Sequence, residues 1–200
     1  MTHFAPWTDY YPFVDAAARR SIEDYVRPLA VGLDGVTNYG DVQRMVSAAG
    51  AIADGLAGID RDLVFLLGVF SGQERWVSRM GHRSRTETFL ASLGVPARTV
   101  RALFRGLERF ETAPSTPEEE VVHDAVLLEA MGAYGVARGL ADAYRERLDI
   151  LEMADAIEKA AAAPLRTAPG ERLAAPRRAL MQSFARSLRE EHAQFDRAAK

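Results

Sequence analysis

VVHDAVLLEAMGAYGVARGL, residues 121–140, is the stretch of sequence that decides the fold. It is apolar on most faces of a helix, and Asp124 stands where a buried helix normally carries an apolar residue. Glycine inside a helix costs about 1 kcal/mol relative to alanine, so Gly132 and Gly135 indicate close backbone packing. We predict a central helix here, with one buried carboxylate at the floor of any pocket.

The composition is typical of a soluble globular protein. The 200 residues are 48% apolar and 26% charged, which is enough to build a sizeable core. A net charge of −3 gives no electrostatic case for a nucleic-acid partner. No apolar run reaches the roughly 20 residues that span a bilayer, so no membrane partner is expected. The absence of cysteine excludes disulfides, thiolate metal sites and a cysteine nucleophile.

The N-terminus is aromatic and punctuated by proline, MTHFAPWTDYYPF. It lacks the basic region and apolar core of a secretory signal, so we expect a cytoplasmic protein. Residues 1–35 are predicted to form an N-terminal arm and a first helix. Residues 36–200 are predicted to form the helical domain, and the two parts make one domain overall.

Apolar residues recur at helical spacing along most of the chain. Glycine and proline separate the apolar segments, and neither an alternating β-branched run nor a hairpin turn is present. We predict an all-α fold, a single-domain bundle of about eight helices. The predicted helices lie at about residues 14–25, 41–56, 60–71, 83–93, 100–110 and 121–140, from there on to about 163, and at 176–195.

Several motifs occur in an order that resembles the HD-domain superfamily. Residues 124–138, DAVLLEAMGAYGVAR, resemble the pattern DADxLxxxGAxGxAR of a small bacterial branch. Gly81-His82 and the FLxxLG segment at 89–94 match two further motifs. The C-terminal pattern of the branch is matched by Arg177, Met181, Phe184 and Glu190 or Glu191. The resemblance runs from about residue 40 to 191 and implies the fold of metal-dependent phosphohydrolases named for a His-Asp pair.

The metal-binding residues of that family are what this sequence does not match. By position, Asp41 occupies the place of the first histidine, Gly68-Val69 that of the His-Asp pair, and Phe110 that of a downstream histidine. Asp124 keeps the family's residue type, and Arg44 falls on its usual arginine. A divalent cation needs several preorganised oxygen or nitrogen ligands. We therefore expect a degenerate, metal-independent domain without a cofactor.

Three polar side chains remain as candidates for catalysis in the former metal cavity. Asp124 is either a functional acid or a structural carboxylate, and Asp41 is either a second carboxylate facing it or a helix N-cap. His82 follows a glycine at a helix start, where it either contacts substrate or lies on the surface. The same three residues could form a substitute metal site, since two carboxylates and an imidazole are a legitimate ligand set.

Other polar and aromatic residues could contact a substrate. Some lie in the loop after the missing His-Asp pair, where they could line a pocket mouth, and others are arginines that could hold an anion. These candidates are Arg44, Gln73, Glu74, Arg75, Trp76 and Arg105.

Three functions stay open at this point. The first is a metal-independent enzyme of the lyase, cyclase or isomerase type that acts on a small organic molecule. The second is a non-catalytic pseudoenzyme that binds a nucleotide or metabolite, or serves a partner through its surface. The third is a residual metal-dependent phosphohydrolase. The sequence predicts a small-molecule ligand, and the aromatic arm could serve a homodimer.

Overall fold

The computed structural model describes residues 14–30, 39–72 and 81–198. In these ranges the chain forms nine α-helices and one 3-10 turn and contains no strand, which confirms the all-α prediction. No helix in them is long and apolar enough to cross a membrane. The elements are α1 (Ala16–Val26), the 3-10 turn (Arg27–Leu29), α2 (Tyr39–Asp54), α3 (Arg61–Phe70), α4 (His82–Ser92), α5 (Ala97–Leu107), α6 (Pro117–Glu129), α7 (Gly132–Glu146), α8 (Ile150–Ala161) and α9 (Ala168–Ala198).

The chain divides into two compact units, Met1–His123 and Asp124–Lys200. The predicted aromatic arm, residues 1–13, lies outside the described residues, and so does the boundary predicted after residue 35. That domain boundary therefore stays a prediction.

Helix α3 forms the core of the first unit. Its sequence, RDLVFLLGVF, is apolar all round, and every residue from Asp62 to Phe70 is buried, as expected for a helix without a polar face. Helices α1, α2 and α5 pack against it. Gly106 of α5 permits a close approach, because a Cβ there would lie 2.7 Å from Leu67 Cδ2. Helix α3 is therefore the element around which the other helices of the first unit pack.

The second unit is built from helices that pack through small side chains. Helix α9 packs against α7 and α8, which also contact each other. Short buried side chains let the helix backbones approach closely. Four alanines of α8 and α9 are fully buried, together with two larger side chains: Ala154, Ala161, Ala174, Ala185, Ile157 and Met181.

The central helix predicted over residues 121–140 is wrong, because the structure forms two helices there. Helix α6 ends at Glu129, and α7 begins at Gly132, whose φ of +74° lies in the left-handed region that glycine adopts without strain. A Cβ at Gly135 would lie 2.1 Å from the carbonyl oxygen of Ala130. Both glycines therefore shape the turn between α6 and α7.

The predicted helical continuation from residue 140 to 163 is also interrupted. Helix α7 ends at Glu146, and Arg147 turns the chain with a φ of +59°. Asp149 then starts α8 through a capping box with Glu152, in which each side chain accepts from the other residue's backbone amide. Two helices replace the single predicted segment because a cap lies in its middle.

The last helix starts eight residues earlier than predicted, at Ala168 instead of Pro176. The Thr167 hydroxyl accepts a hydrogen bond from the Gly170 amide at 3.0 Å and so caps the first turn. Pro169 falls in that first turn, where a missing amide proton leaves no helical bond unmade. Pro176 lies inside the helix, so it does not mark the helix start.

Candidate small-molecule site

Asp124 is a fully buried carboxylate of the second unit. Its Oδ1 accepts a hydrogen bond from the Arg166 amide at 2.8 Å. Its Oδ2 accepts from the Thr167 amide at 2.8 Å and from the Thr167 hydroxyl at 2.7 Å. Asp124 thereby ties the end of α6 to the loop that precedes α9. This is the geometry of the structural alternative considered for this residue.

The first turn of α9 is built around this carboxylate. A Cβ at Gly170 would lie 2.5 Å from Asp124 Oδ2 and 2.8 Å from Thr167 Oγ1, both shorter than a van der Waals contact. Glycine leaves the space that the carboxylate and the capping hydroxyl occupy together.

Asp41, on the first turn of α2, and Arg44, on the second, form an ion pair with each other. Asp41 is buried and is the third residue of the helix, so the N-cap alternative for it is wrong. Arg44 was a candidate for substrate binding. The Arg44 guanidinium contacts the Asp41 carboxylate, and this contact offsets the positive charge of Arg44 locally.

Apolar packing surrounds Gly68, Val69 and Phe110, three positions that the resemblance to the HD-domain superfamily aligns with metal-ligating residues. Val69 is buried, and a Cβ at Gly68 would lie 3.3 Å from Val46 Cγ2, so a larger side chain at position 68 would have to displace Val46. Phe110 is buried as well, and its carbonyl accepts a hydrogen bond from His123 Nδ1 at 3.1 Å. Within the described ranges, no group of three or more His, Asp and Glu side chains is placed to hold a metal ion.

His82 lies at the edge of a cavity of about 380 Å³ in the first unit. One wall comes from the end of α1 and the 3-10 turn, and the other from the first two turns of α4. We call this cavity the α1–α4 pocket. The described residues that line it are Asp24, Tyr25, Pro28, Leu29, His82, Arg85 and Thr86.

Tyr25 fixes the two walls of the α1–α4 pocket together. Its ring stacks on Phe89 of α4, with 4.3 Å between ring centroids and 10° between planes. Its hydroxyl lies 3.0 Å from the hydroxyl of buried Thr86, in a hydrogen bond that either group can donate. The aromatic wall is therefore held rigidly against the polar face of α4.

Arg85 supplies the cation of the pocket. It is exposed and forms no ion pair within the ranges that the structure describes. Its neighbour Arg83 instead pairs with Glu87 at 3.2 Å and with Glu108 at 3.6 Å. Asp24, on the opposite wall, lies 3.4 Å from Arg27. Arg85 is thus positioned to meet an anionic group.

The remaining sequence candidates are not placed at this pocket. Arg105 is exposed on α5 and is not among its described lining residues. The loop candidates Gln73, Glu74, Arg75 and Trp76 lie outside the described residues.

The sequence reasoning found His82 but missed its partners on α4. Arg85 and Thr86 stand three and four positions after it, the spacing that places side chains on one face of a helix. That spacing was the available signal. Tyr25 carried no comparable signal, because it comes from another helix.

Comparison with known proteins identifies the fold and no more. The sequence matches no family model and no curated protein. The Lin1889 protein of Listeria innocua has a similar fold, with a TM-score of 0.70 and 17% identity over 88% of this chain and 95% of that chain. Bacillus subtilis YpgQ, solved in complex with ADP, has a TM-score of 0.66 and 17% identity over 86% of this chain and 94% of that chain. A Lactobacillus plantarum protein has a TM-score of 0.64 and 20% identity, over 90% and 99% respectively.

Proposed function

We propose that the protein is a degenerate HD-type domain that binds a nucleotide or another phosphorylated metabolite in the α1–α4 pocket without hydrolysing it. One observation carries the proposal: a face with the Arg85 guanidinium and the His82 imidazole and an aromatic wall with Tyr25 line the same cavity. Its volume of about 380 Å³ falls in the range of about 300–1,000 Å³ that small-molecule sites occupy.

Features of α4 favour a phosphate group at its start. Arg85 offers a planar guanidinium, which matches the oxygens of phosphate in a bidentate manner. His82 is the first residue of the helix, where backbone amides and the helix dipole favour anions. The first turn holds no acidic residue, and Gly81 has no side chain that could compete for these amides.

The opposite wall suits the flat, less polar part of a nucleotide. Tyr25, Pro28 and Leu29 give it an apolar surface, and the stacking on Phe89 keeps the Tyr25 ring in place. Aromatic side chains stack on nucleic bases whatever the base, since every base has a π-face. ADP is the first ligand to test, because YpgQ, a protein of similar fold, was solved with it.

Two observations favour binding over catalysis. Both oxygens of Asp124 are engaged by hydrogen bonds from the loop before α9. The side chains at positions 68 and 69 offer no ligand atom for a metal. Metal-independent acid-base catalysis and residual metal-dependent hydrolysis remain predictions, and the second experiment below tests the hydrolysis.

The binding experiment is an isothermal titration of the full chain with ADP. We expect saturable binding that weakens about tenfold or more in Arg85→Gln, because a hydrogen bond to a charged group contributes about 1.5–3 kcal/mol. Arg105→Gln removes the same charge from the exposed face of α5 and is the matched control. Equal affinity in all three proteins, or no binding at millimolar ADP, would overturn the proposal.

The hydrolysis experiment uses the same protein with ADP and ATP, in the presence of Mn²⁺ or Mg²⁺. We expect no release of phosphate above the rate without protein. Metal-dependent turnover that survives repeated purification would contradict a non-catalytic role and support the residual phosphohydrolase.

A further inference from the structure

A second cavity of the first unit lies between α1 and α2 and has a volume of about 260 Å³. We call it the α1–α2 pocket. Its floor consists of the valines Val42, Val46 and Val69, all of them buried. The volume lies below the roughly 300 Å³ at which drug-sized sites begin, so the pocket suits a molecule smaller than a nucleotide, with a short apolar group.

One wall of this pocket carries a positive and a negative charge side by side. Arg19 and Glu23 are four residues apart on α1, and their nearest charged atoms are 3.7 Å apart. At this distance the two side chains form an ion pair that is longer than a hydrogen bond. The Arg19 guanidinium lies 4.3 Å from the centroid of the Phe65 ring, which fixes its position by a cation–π contact. The wall thus presents two opposite charges at a defined spacing.

The other wall carries neutral hydrogen-bonding groups. Tyr39, Gln43 and Ser47 follow one another at four-residue intervals on one face of α2. Burial, together with the nearby carboxylate of Glu23, raises the pKa of Tyr39 to about 12. Its hydroxyl therefore stays protonated at neutral pH and can donate a hydrogen bond. This wall adds polar contacts without adding charge.

We propose that the α1–α2 pocket binds a small zwitterion of the α-amino acid type. The carboxylate of the ligand lies at Arg19, its ammonium group at Glu23, and its short apolar side chain on the valine floor. A simple anion would be repelled by Glu23 and a simple cation by Arg19, whereas a zwitterion is attracted by both. The site is separate from the α1–α4 pocket and does not depend on the function proposed for it.

The first test compares three probes on the wild-type chain by isothermal titration. L-Valine carries both charges, 3-methylbutanoate lacks the ammonium group, and 2-methylpropan-1-amine lacks the carboxylate. We expect L-valine to bind and each analogue to bind at least about tenfold more weakly, since each loses one charge-assisted contact. No binding of L-valine at about 20 mM, or equal binding of either analogue, would overturn the inference.

The second test locates the site by substitution. Arg19→Gln and Glu23→Gln should each weaken L-valine binding about tenfold. Arg20→Gln and Glu111→Gln, both at exposed positions of the first unit, are the matched controls and should bind as wild type does. Binding that survives both site variants would refute the assignment. If Arg19→Gln fails to fold, Glu23→Gln and the probe series still decide, and ADP titrations report the α1–α4 pocket independently.

Discussion

At the scale of single residues, two buried carboxylates, Asp124 and Glu119, are held by hydrogen-bond donors of their own unit. Asp124 accepts three hydrogen bonds from Arg166 and Thr167. Glu119 accepts from Arg109 Nε and Nη2 at 2.9 and 2.6 Å, and from the Ser115 amide at 2.8 Å. A buried carboxylate whose oxygens accept such hydrogen bonds holds the surrounding backbone in place. Removing the carboxylate should therefore lower the stability of the fold.

Asp124→Asn tests this structural role. The substitution replaces one acceptor oxygen by a donating amide, so one of the two loop amides loses its partner, at a cost of about 1–3 kcal/mol. We expect the free energy of unfolding, measured in urea, to fall by that amount. Asp142→Asn, in an exposed pair with Arg145 on α7, should change it by less than about 0.5 kcal/mol. An Asp124→Asn protein as stable as wild type would instead revive the acid-base prediction.

The sequence marked Asp124 as unusual and left its role open, for a physical reason. A carboxylate inside an apolar stretch is visible locally, but its partners lie 42 and 43 residues away. His82 was found through the Gly81-His82 motif. Tyr25, which completes the pocket wall, lies 61 residues from Thr86, and no local pattern encodes that distance.

At the scale of elements, the sequence predicts well which segments are helical and poorly where each helix begins and ends. Periodicity marks apolar faces, whereas the ends depend on tertiary contacts. Near the end of α6, the Leu128 carbonyl accepts a hydrogen bond from Arg177 Nη1 at 2.8 Å, a contact with a helix much later in the chain. The early start of α9 depends on Thr167, which Asp124 holds in place.

Gly135→Ala tests the turn between α6 and α7. The added methyl group would lie 2.1 Å from the Ala130 carbonyl oxygen. Because this oxygen belongs to the backbone, it can move away only if the turn opens. We expect a loss of about 1–3 kcal/mol in the free energy of unfolding. Gly139→Ala is the matched control on the same helix, since its methyl group would lie 3.6 Å from Ile157 Cγ1. It should be neutral or stabilising by up to about 1 kcal/mol, and equal stability of the two variants would contradict the tight turn.

At the scale of the whole molecule, the fold class follows from the sequence, whereas the cavities do not. Each pocket depends on how helices pack in three dimensions: α1 with α4 in one case, and α1 with α2 and Val69 of α3 in the other. The sequence predicts the ligand cavity at the positions that the resemblance assigns to metal ligands. Packing of Val46 against Gly68 occupies part of that place instead.

Stability against acid is a property of the whole molecule that Glu119 governs in part. Burial alone would raise the pKa of Glu119, but hydrogen bonds from Arg109 and Ser115 outweigh it and hold that pKa below its ordinary value. The folded pKa is thus lower than the unfolded one, which is about 4.3. The interaction stabilises the fold fully above the unfolded pKa, and this stabilisation is lost as the pH falls through the folded pKa.

We therefore expect the free energy of unfolding to decline below about pH 4.3, and to decline less steeply in Glu119→Gln. The glutamine variant should also be less stable than wild type at neutral pH, because the Arg109 guanidinium loses its charged partner. Glu111→Gln, at an exposed position, is the control. The measurement is urea unfolding across a pH series, and identical pH profiles for wild type and Glu119→Gln would refute the assignment.

The close packing around Gly170 limits the substitutions that this sequence can accept during evolution. Because the Asp124 carboxylate stands where a methyl group of residue 170 would be, substitutions at the two positions are not independent. A side chain at 170 would meet both the Asp124 carboxylate and the Thr167 hydroxyl, so these two groups must change before position 170 or together with it. Among homologues, the pair should covary, with glycine at 170 wherever aspartate is retained at 124.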